Sequence, residues 1–419
     1  MKRTLEVATR SSKQGSAECA VCSVLKRAEN SAVSLFLKRE IKELLAKHIA
    51  FTNAECQTYM SHGFEAMDNP RVSIVLEITH ICIYERTYLT CMNCVQVLSV
   101  AMDGADQSAH DLPKVVGRVP KDLQPWPQKL QCVLLHGSVL CMFNVLNVVH
   151  AGANMAMTCL MRALQIMEDD IPEVLYLQVD GGSENWNQVL FGLIDLLFDL
   201  YGKLKKVIVS RLPVGHTHID VDRFFSYLNK KLFGTSAGGR KDGANVFTRE
   251  EFSDIFFQSM ASNKDTMLLQ HRLEDLNGSY DFWSWLSPHF YNGFSGYGSS
   301  GNVHVLKYER IGNAGPPHIS YKFWHQSPKW LPEDGSSLKV LSSRPDLSDL
   351  KTLEVSPLVE NHMDVLVGLQ KPLLKWLAAQ RQVGLVSPEV VQSWKNYFKT
   401  LGESSSVPSI CVLSMCAHI

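Results

Sequence analysis

Neither sign of charge dominates this chain: 41 Lys and Arg stand against 42 Asp and Glu, for a net charge of −1. No global basic field therefore announces nucleic acid. The N-terminal MKRTLEVATRSSK lacks the apolar stretch of a secretory signal, and the eleven cysteines are odd in number. Reduced thiols in a nuclear or cytosolic protein, and no secretion, are the expectation. Long uninterrupted apolar runs are missing too. The most apolar stretch, residues 133–149 (VLLHGSVLCMFNVLNVV), is broken by His136, Gly137, Ser138, Asn144 and Asn147. Two buried strands joined at HGS account for it better than a membrane span, so no membrane partner is expected. No internal repeat is readable, nor a helix-turn-helix or a zinc finger of ordinary spacing.

What is present is the composition of a globular protein, 45% hydrophobic and 20% charged over 419 residues, long enough for two or three domains. Residues 1–70 read as an N-terminal helical region whose first dozen residues are expected to be disordered. Ala32 to His48 spaces Leu35, Leu37, Ile41, Leu44 and Leu45 at helical intervals, and a second helix is predicted over Asn53 to Ala66. Two CxxC pairs, Cys19/Cys22 and Cys91/Cys94, are separated by 68 residues, far beyond zinc-ribbon spacing. Isolated buried cysteines are the simpler reading, and a zinc site sharing both pairs is the alternative. Residues 71–96 are rich in Ile, Val, Thr, Tyr and Cys. They interrupt the approach to the next strand and read as an insertion, such as translated intron sequence.

From Val97 the pattern becomes regular. Strands are predicted at Val97–Asp103, Lys129–Leu135, Val139–Leu146, Glu173–Asp180 and Lys206–Leu212. Helices are predicted at Asn154–Met167, Asn185–Tyr201 and Ile219–Phe233. Strand, strand, strand, helix, strand, helix, strand, helix is the order of the ribonuclease H-like fold. In that fold the first and fourth strands lie side by side with the last helix near them. The fold class expected is therefore α/β, a mixed sheet flanked by helices over residues 97–262. A smaller β-containing subdomain is expected over 263–345, built on strands at Val303–Tyr308 and His318–Trp324, with Trp324 and Trp330 packing it. Residues 346–419 read as a linker and a C-terminal helix from Pro388, and 333–360 as linker-like. Thr248 and Glu251 form a capping box ahead of a further helix.

The chain is organised around Leu212 to Phe225, LPVGHTHIDVDRFF, where two histidines and two aspartates fall at a strand-to-helix junction. Such junctions sit at the rim of an α/β sheet, where sites are usually built. The plain alternative is a polar turn with an Asp N-cap. Two further acids end strands upstream, Asp103 and Asp180. Carboxylates that converge at a sheet edge repel one another unless a cation lies between them, and hard oxygen ligands suit Mg²⁺ or Mn²⁺. Two such ions ~3.5–4 Å apart activate a water or a 3′-hydroxyl for phosphodiester cleavage. Asp103 is expected to be shared by both ions, Asp180 to bind one, and Asp222 or Asp220 the other. The last two lie ~200° apart on a helix, so only one can face the site, and the choice leans to Asp222.

His216 and His218 can position a phosphate or water or ligate metal, or else hydrogen-bond the turn backbone. Asn185 and Asn187 can touch substrate or simply cap the helix, as can Glu184. Asp106 is read as a turn residue, and Asp195 as lying on the exposed side of its helix. Ten Lys and Arg against three Asp between Gly202 and Arg249 give this stretch a local charge of +7. A polyanion partner fits that excess, with Lys230 and Lys231 as contacts, although a solvated helix face explains part of it.

Three stretches, DGADQ (Asp103–Gln107), VDGGSENWNQ (Val179–Gln188) and LPVGHTHIDVDRFFS (Leu212–Ser226), in that order, resemble a family of eukaryotic transposon-encoded proteins. That family is itself similar to DDE transposases with a ribonuclease H-like core. The resemblance covers about residues 19–330, including the Cys19/Cys22 pair and the helix with His48, and departs at Gly181, where the family usually has Asn. It implies DNA as partner, strand cleavage or joining as activity, two Mg²⁺ or Mn²⁺ ions, a nuclear or cytoplasmic protein, and a second copy of the chain as a further partner. The alternative is a non-catalytic, transposon-derived nucleic-acid-binding or interaction protein. A DEDD-type exonuclease would need a Glu where Ala105 stands.

Overall fold

The computed structural model describes residues 19–32, 34–68, 97–105, 110–115, 122–167, 171–213, 220–234, 243–263, 269–297, 302–312, 315–353, 356, 358 and 362–403. The proposed insertion at 71–96, the Cys91/Cys94 pair, Asp106, His216 and His218 all lie outside the described residues.

One sheet of eight strands organises the chain, in the order β6-β3-β2-β1-β4-β5-β7-β8. Its first three strands, β1 (Val97–Gly104), β2 (Gln128–Leu135) and β3 (Val139–Leu146), form an antiparallel meander. The β2–β3 connection is the HGS turn, closed by Gly137 at a φ of 77° that favours glycine. The chain then runs through α3 (Ala153–Gln165), β4 (Val174–Val179), α4 (Gln188–Leu200), β5 (Lys206–Arg211) and α5 (Asp220–Phe233). β4 pairs parallel to β1, and β5 parallel to β4. The element order from β1 to α5 is the one the sequence pattern predicts, and the first and fourth strands are neighbours as expected.

Helical periodicity explains what covers the sheet. Val221, Phe224, Phe225, Leu228 and Leu232 make a buried stripe on α5, which packs on β1 and β2. α4 is buried almost all round, with Asn187 as its N-cap accepting from the Leu190 amide at 3.0 Å. The Thr248/Glu251 capping box is formed at the start of α6 (Arg249–Ala261). A short helix, α7 (Phe282–Leu286), packs against α3 and α4. α8 (His362–Gln382) contacts α9 (Pro388–Glu403), whose Trp394 and Phe398 pack against Trp126.

Four expectations fail, each for a physical reason. Residues 35–68 form one helix of 34 residues, α2 (Leu35–Asp68), which follows α1 (Ala20–Ser31). No Gly or Pro lies between Leu35 and His62 to end it, and Thr52 turns its hydroxyl back onto the Ile49 carbonyl. The two expected subdomain strands, β7 (Val305–Glu309) and β8 (His318–Lys322), extend the main sheet beyond β5, and β6 (Gln270–Leu276) pairs parallel to β3 at the other edge. Residues 333–353, though mostly exposed, are tied into the core at Val340 and Leu350 rather than hanging free as a linker. Asp195 is buried and ion-paired with Arg344, which also holds Asp199. That partner is 149 positions away, beyond the reach of helical periodicity.

α2 docks through polar and aromatic contacts. Glu55 accepts the backbone N–H groups of His325 and Gln326, each at 3.0 Å. Phe51 meets Trp324 edge-on, and Trp324 stacks on His304 at 3.5 Å between ring centres. His62 stacks on Tyr176 at 3.8 Å. Trp330 receives the ammonium groups of Lys307 and Lys322 over its ring. Burial, aided by neighbouring cations, pushes His62 down to about 3 and His304 and His325 to about 4. Each histidine is therefore neutral in the fold, while the unfolded chain takes up protons near pH 6.5. Their stabilisation is complete above that pH and is lost progressively as pH falls towards 4. Hydrogen exchange at pH 7 and pH 5 should show α2 losing protection before the central strands do, and His62→Phe should reduce the difference. Equal protection at both pH values would contradict this account of the docking.

Candidate active site

The register between β1 and β4 builds the site. Met102 pairs with Val179, so Asp103 and Asp180 are the next residues on adjacent parallel strands. Strands ~4.8 Å apart, in register, send facing side chains to the same side of the sheet. Asp103 also lies opposite Cys132 on β2, at the half-exposed end of an otherwise buried strand.

Each acid is held differently. Asp103 accepts the Gly104 amide at 2.7 Å. Asp180 accepts the Gly182 amide at 3.1 Å and the Asn185 side-chain amide at 2.6 Å. Asn185 is 1% exposed, so its role is to fix Asp180. A Cβ at Gly182 would come within 3.3 Å of both Asp180 carboxylate oxygens, which explains the glycine in this turn. Asn187, the helix cap, also donates to the carbonyls of Ser183 and Glu184, so its amide is occupied in structure.

The two aspartates at the start of α5 part ways. Asp220 accepts from His136 Nε2 at 3.1 Å, pairs with Arg223 at 3.2 Å and meets the Tyr59 hydroxyl at 3.5 Å. His136 in turn holds the Ser99 carbonyl through Nδ1 at 3.1 Å. Burial alone would raise the Asp220 carboxyl, but His136 and Arg223 outweigh it and hold it below the usual range. Asp222, ~200° further round the helix, lies on the Asp103 side. Burial first, then the charges of Asp222 and Asp180, push Asp103 up to about 8. Glu184 is raised too, by burial and by Asp180, with Lys129 opposing.

Beside these acids lies a cleft of about 110 Å³, lined by Asp103, Asp180, Glu184, Lys129, Gln131 and Met155 among others. It has room for a few waters or ions. Lys129 donates to the Val149 carbonyl at 3.1 Å, and burial lowers its pKa. Sequence reading missed Lys129 and Gln131, whose signal was only alternation on β2, and offered Glu184 as a substrate contact or helix cap, not as a member of the acid cluster. Lys230 and Lys231 are exposed on the last turn of α5, ~12 Å along the helix from Asp222. They flank the acids rather than join them. No choice of one oxygen from each of Asp103, Asp180 and Asp222 brings all three within 4.8 Å of one another.

Residues 121–327 match the pattern of a domain of unknown function, DUF7869. That span runs from just before β2 through β8 and contains Asp180 and Asp222, while Asp103 lies upstream of it. No curated protein and no solved structure matches the chain.

The raised Asp103 has a measurable consequence. Its stabilising contribution is present below about pH 4 and is lost as pH rises towards 8, because the unfolded chain ionises freely while the fold resists. Asp103→Asn should therefore melt a few degrees higher than wild type at pH 8, for ~1–3 kcal/mol of relieved charge burial and repulsion, and the gap should narrow at pH 5. An Asn variant no more stable at pH 8 than at pH 5, relative to wild type, would show that the repulsion is absent.

Proposed function

We propose that the chain is a metal-dependent phosphoryl-transfer protein acting on DNA, of transposase or integrase type. The observation that carries this reading is the convergence of Asp103, Asp180 and Asp222 on one sheet edge, where burial first, and then the charges of Asp222 and Asp180, raise the Asp103 carboxyl. The β3-β2-β1-β4-β5 core, antiparallel then parallel, supports a ribonuclease H-like reading of the fold. The likeness of the three acid-bearing stretches to a transposon-encoded family, itself similar to DDE transposases, points the same way.

The residues fit Mg²⁺ or Mn²⁺. The donors are carboxylate oxygens, they repel one another without a cation, and the cleft beside them is ion-sized. When bound, such ions would polarise a phosphodiester and activate an oxygen nucleophile. Asp103 would be the shared ligand, with Asp180 and Asp222 on either side and Glu184 within reach as a fourth acid. The Gly182 amide and Asn185 keep Asp180 aimed without cost to its remaining oxygen. Lys129, at the cleft wall, offers a positive charge to a phosphate oxygen. Arg223, Lys230 and Lys231 run along α5 and would follow the backbone away from the reacting phosphate. Asp220 stays outside the chemistry: it ties α5 to α2 and to the HGS turn.

The test is nicking of supercoiled DNA in Mn²⁺ by the full chain. Asp103→Asn, Asp180→Asn and Asp222→Asn should each reduce nicking ~100-fold or more, while Asp220→Asn should retain most of it and lose stability instead. Nicking that survives all three changes, or its absence in folded wild type, would remove the catalytic reading and leave a binding protein on the same fold.

A further inference from the structure

α1 and the first half of α2 pack together with almost nothing apolar between them. On α1 only Cys22 is buried, and on the facing stretch of α2 Ile41 is. Val21, Val24, Phe36, Leu37 and Leu44 are all about half exposed or more. The Glu29–Lys42 pair at 3.7 Å is a surface contact worth little. A hairpin this poor in core needs another tie.

The tie is visible in the polar atoms. Cys19 caps α1, Cys22 lies one turn on, and both sulfurs face α2, where His48 meets them. Cys19 Sγ and His48 Nε2 are 3.2 Å apart, and the three donor atoms lie within 4.8 Å of one another. The two cysteines are 6% and 7% exposed, and neither is in a disulfide. A tetrahedral zinc with Zn–S ~2.3 Å and Zn–N ~2.0–2.1 Å separates sulfur from nitrogen by ~3.5 Å. Among the described residues this is the only triad of Cys, His, Asp or Glu so close together.

We infer that Cys19, Cys22 and His48 bind a structural zinc ion that fastens α1 to α2. Soft thiolates with one imidazole select zinc over the Mg²⁺ or Mn²⁺ suited to the carboxylate cluster. The fourth position is left to water or another side chain. Binding releases the two thiol protons and leaves both sulfurs as thiolates. Because α2 continues past His48 to Glu55, Tyr59 and His62, the ion also fixes the rod that docks on the sheet and reaches Asp220 through Tyr59. The inference does not depend on DNA cleavage.

The full chain, purified without chelator, should carry close to one zinc per molecule by elemental analysis. Cys22→Ser and His48→Ala should lose it, and Cys56→Ser should keep it. Co²⁺ exchanged into the protein should give a thiolate-to-cobalt charge-transfer band, which an oxygen-ligated ion at the acid cluster cannot produce. That band should weaken in Cys22→Ser and strengthen in His48→Cys. The His48→Cys variant also guards against misfolding, since retained zinc with native circular dichroism supports the site. Wild type without zinc, zinc contents equal in wild type, Cys22→Ser and His48→Ala, or a native His48→Cys without zinc would each overturn it.

Discussion

Everything at the proposed active end depends on one pairing, the parallel register of β1 with β4. Two strands that were free to slip by one residue would turn Asp103 or Asp180 to the opposite face of the sheet. The register is fixed by burial on both faces: Val97, Leu98, Val100, Ala101 and Met102 on β1, and Val174, Leu175, Leu177 and Val179 on β4, are all core residues. Apolar packing thus forces two carboxyl groups together that electrostatics would separate. The cost shows in Asp103, which burial first and then those charges push towards its neutral form, and in Glu184, raised by burial and by Asp180. A stored repulsion at the edge of a buried sheet is the kind of local conflict that the surrounding structure over-determines and that function can use.

α5 settles the division of labour between its two acids by geometry. Its buried stripe sets the helix rotation, and with that rotation Asp222 turns to the cluster while Asp220 turns to His136, Tyr59 and Arg223. The same turn that places one acid beside Asp103 thereby anchors the helix through the other. α2 shares this anchor, so the N-terminal rod, the HGS turn and the acid-bearing helix form one connected network.

Much of this was legible in the sequence, because alternation and helical spacing report burial directly. The order from β1 to α5, the acids ending β1 and β4, the capping box at Thr248 and the turning of Asp220 and Asp222 to different sides of their helix all follow from local pattern. What escaped was set by distant partners. Nothing local shows that Arg344 neutralises Asp195, that β7 and β8 join the main sheet, or that Lys129 lines the cleft. The Cys19/Cys22 pair pointed to a second CxxC, whereas the side chain that faces it is a single histidine on another helix. α2 reads as two helices because its apolar spacing drifts, although no Gly or Pro interrupts it before Gly63.

Calorimetric titration of the full chain with Mn²⁺ asks whether Asp103, Asp180 and Asp222 bind cations as one cluster, with Asp103 shared. The titration is run with and without a DNA duplex, on wild type, Asp103→Ala and Asp180→Ala. The account predicts saturable binding in wild type that is lost in both variants, with proton release near pH 7 as Asp103 ionises. Binding indifferent to both changes, or none with DNA present, would contradict it.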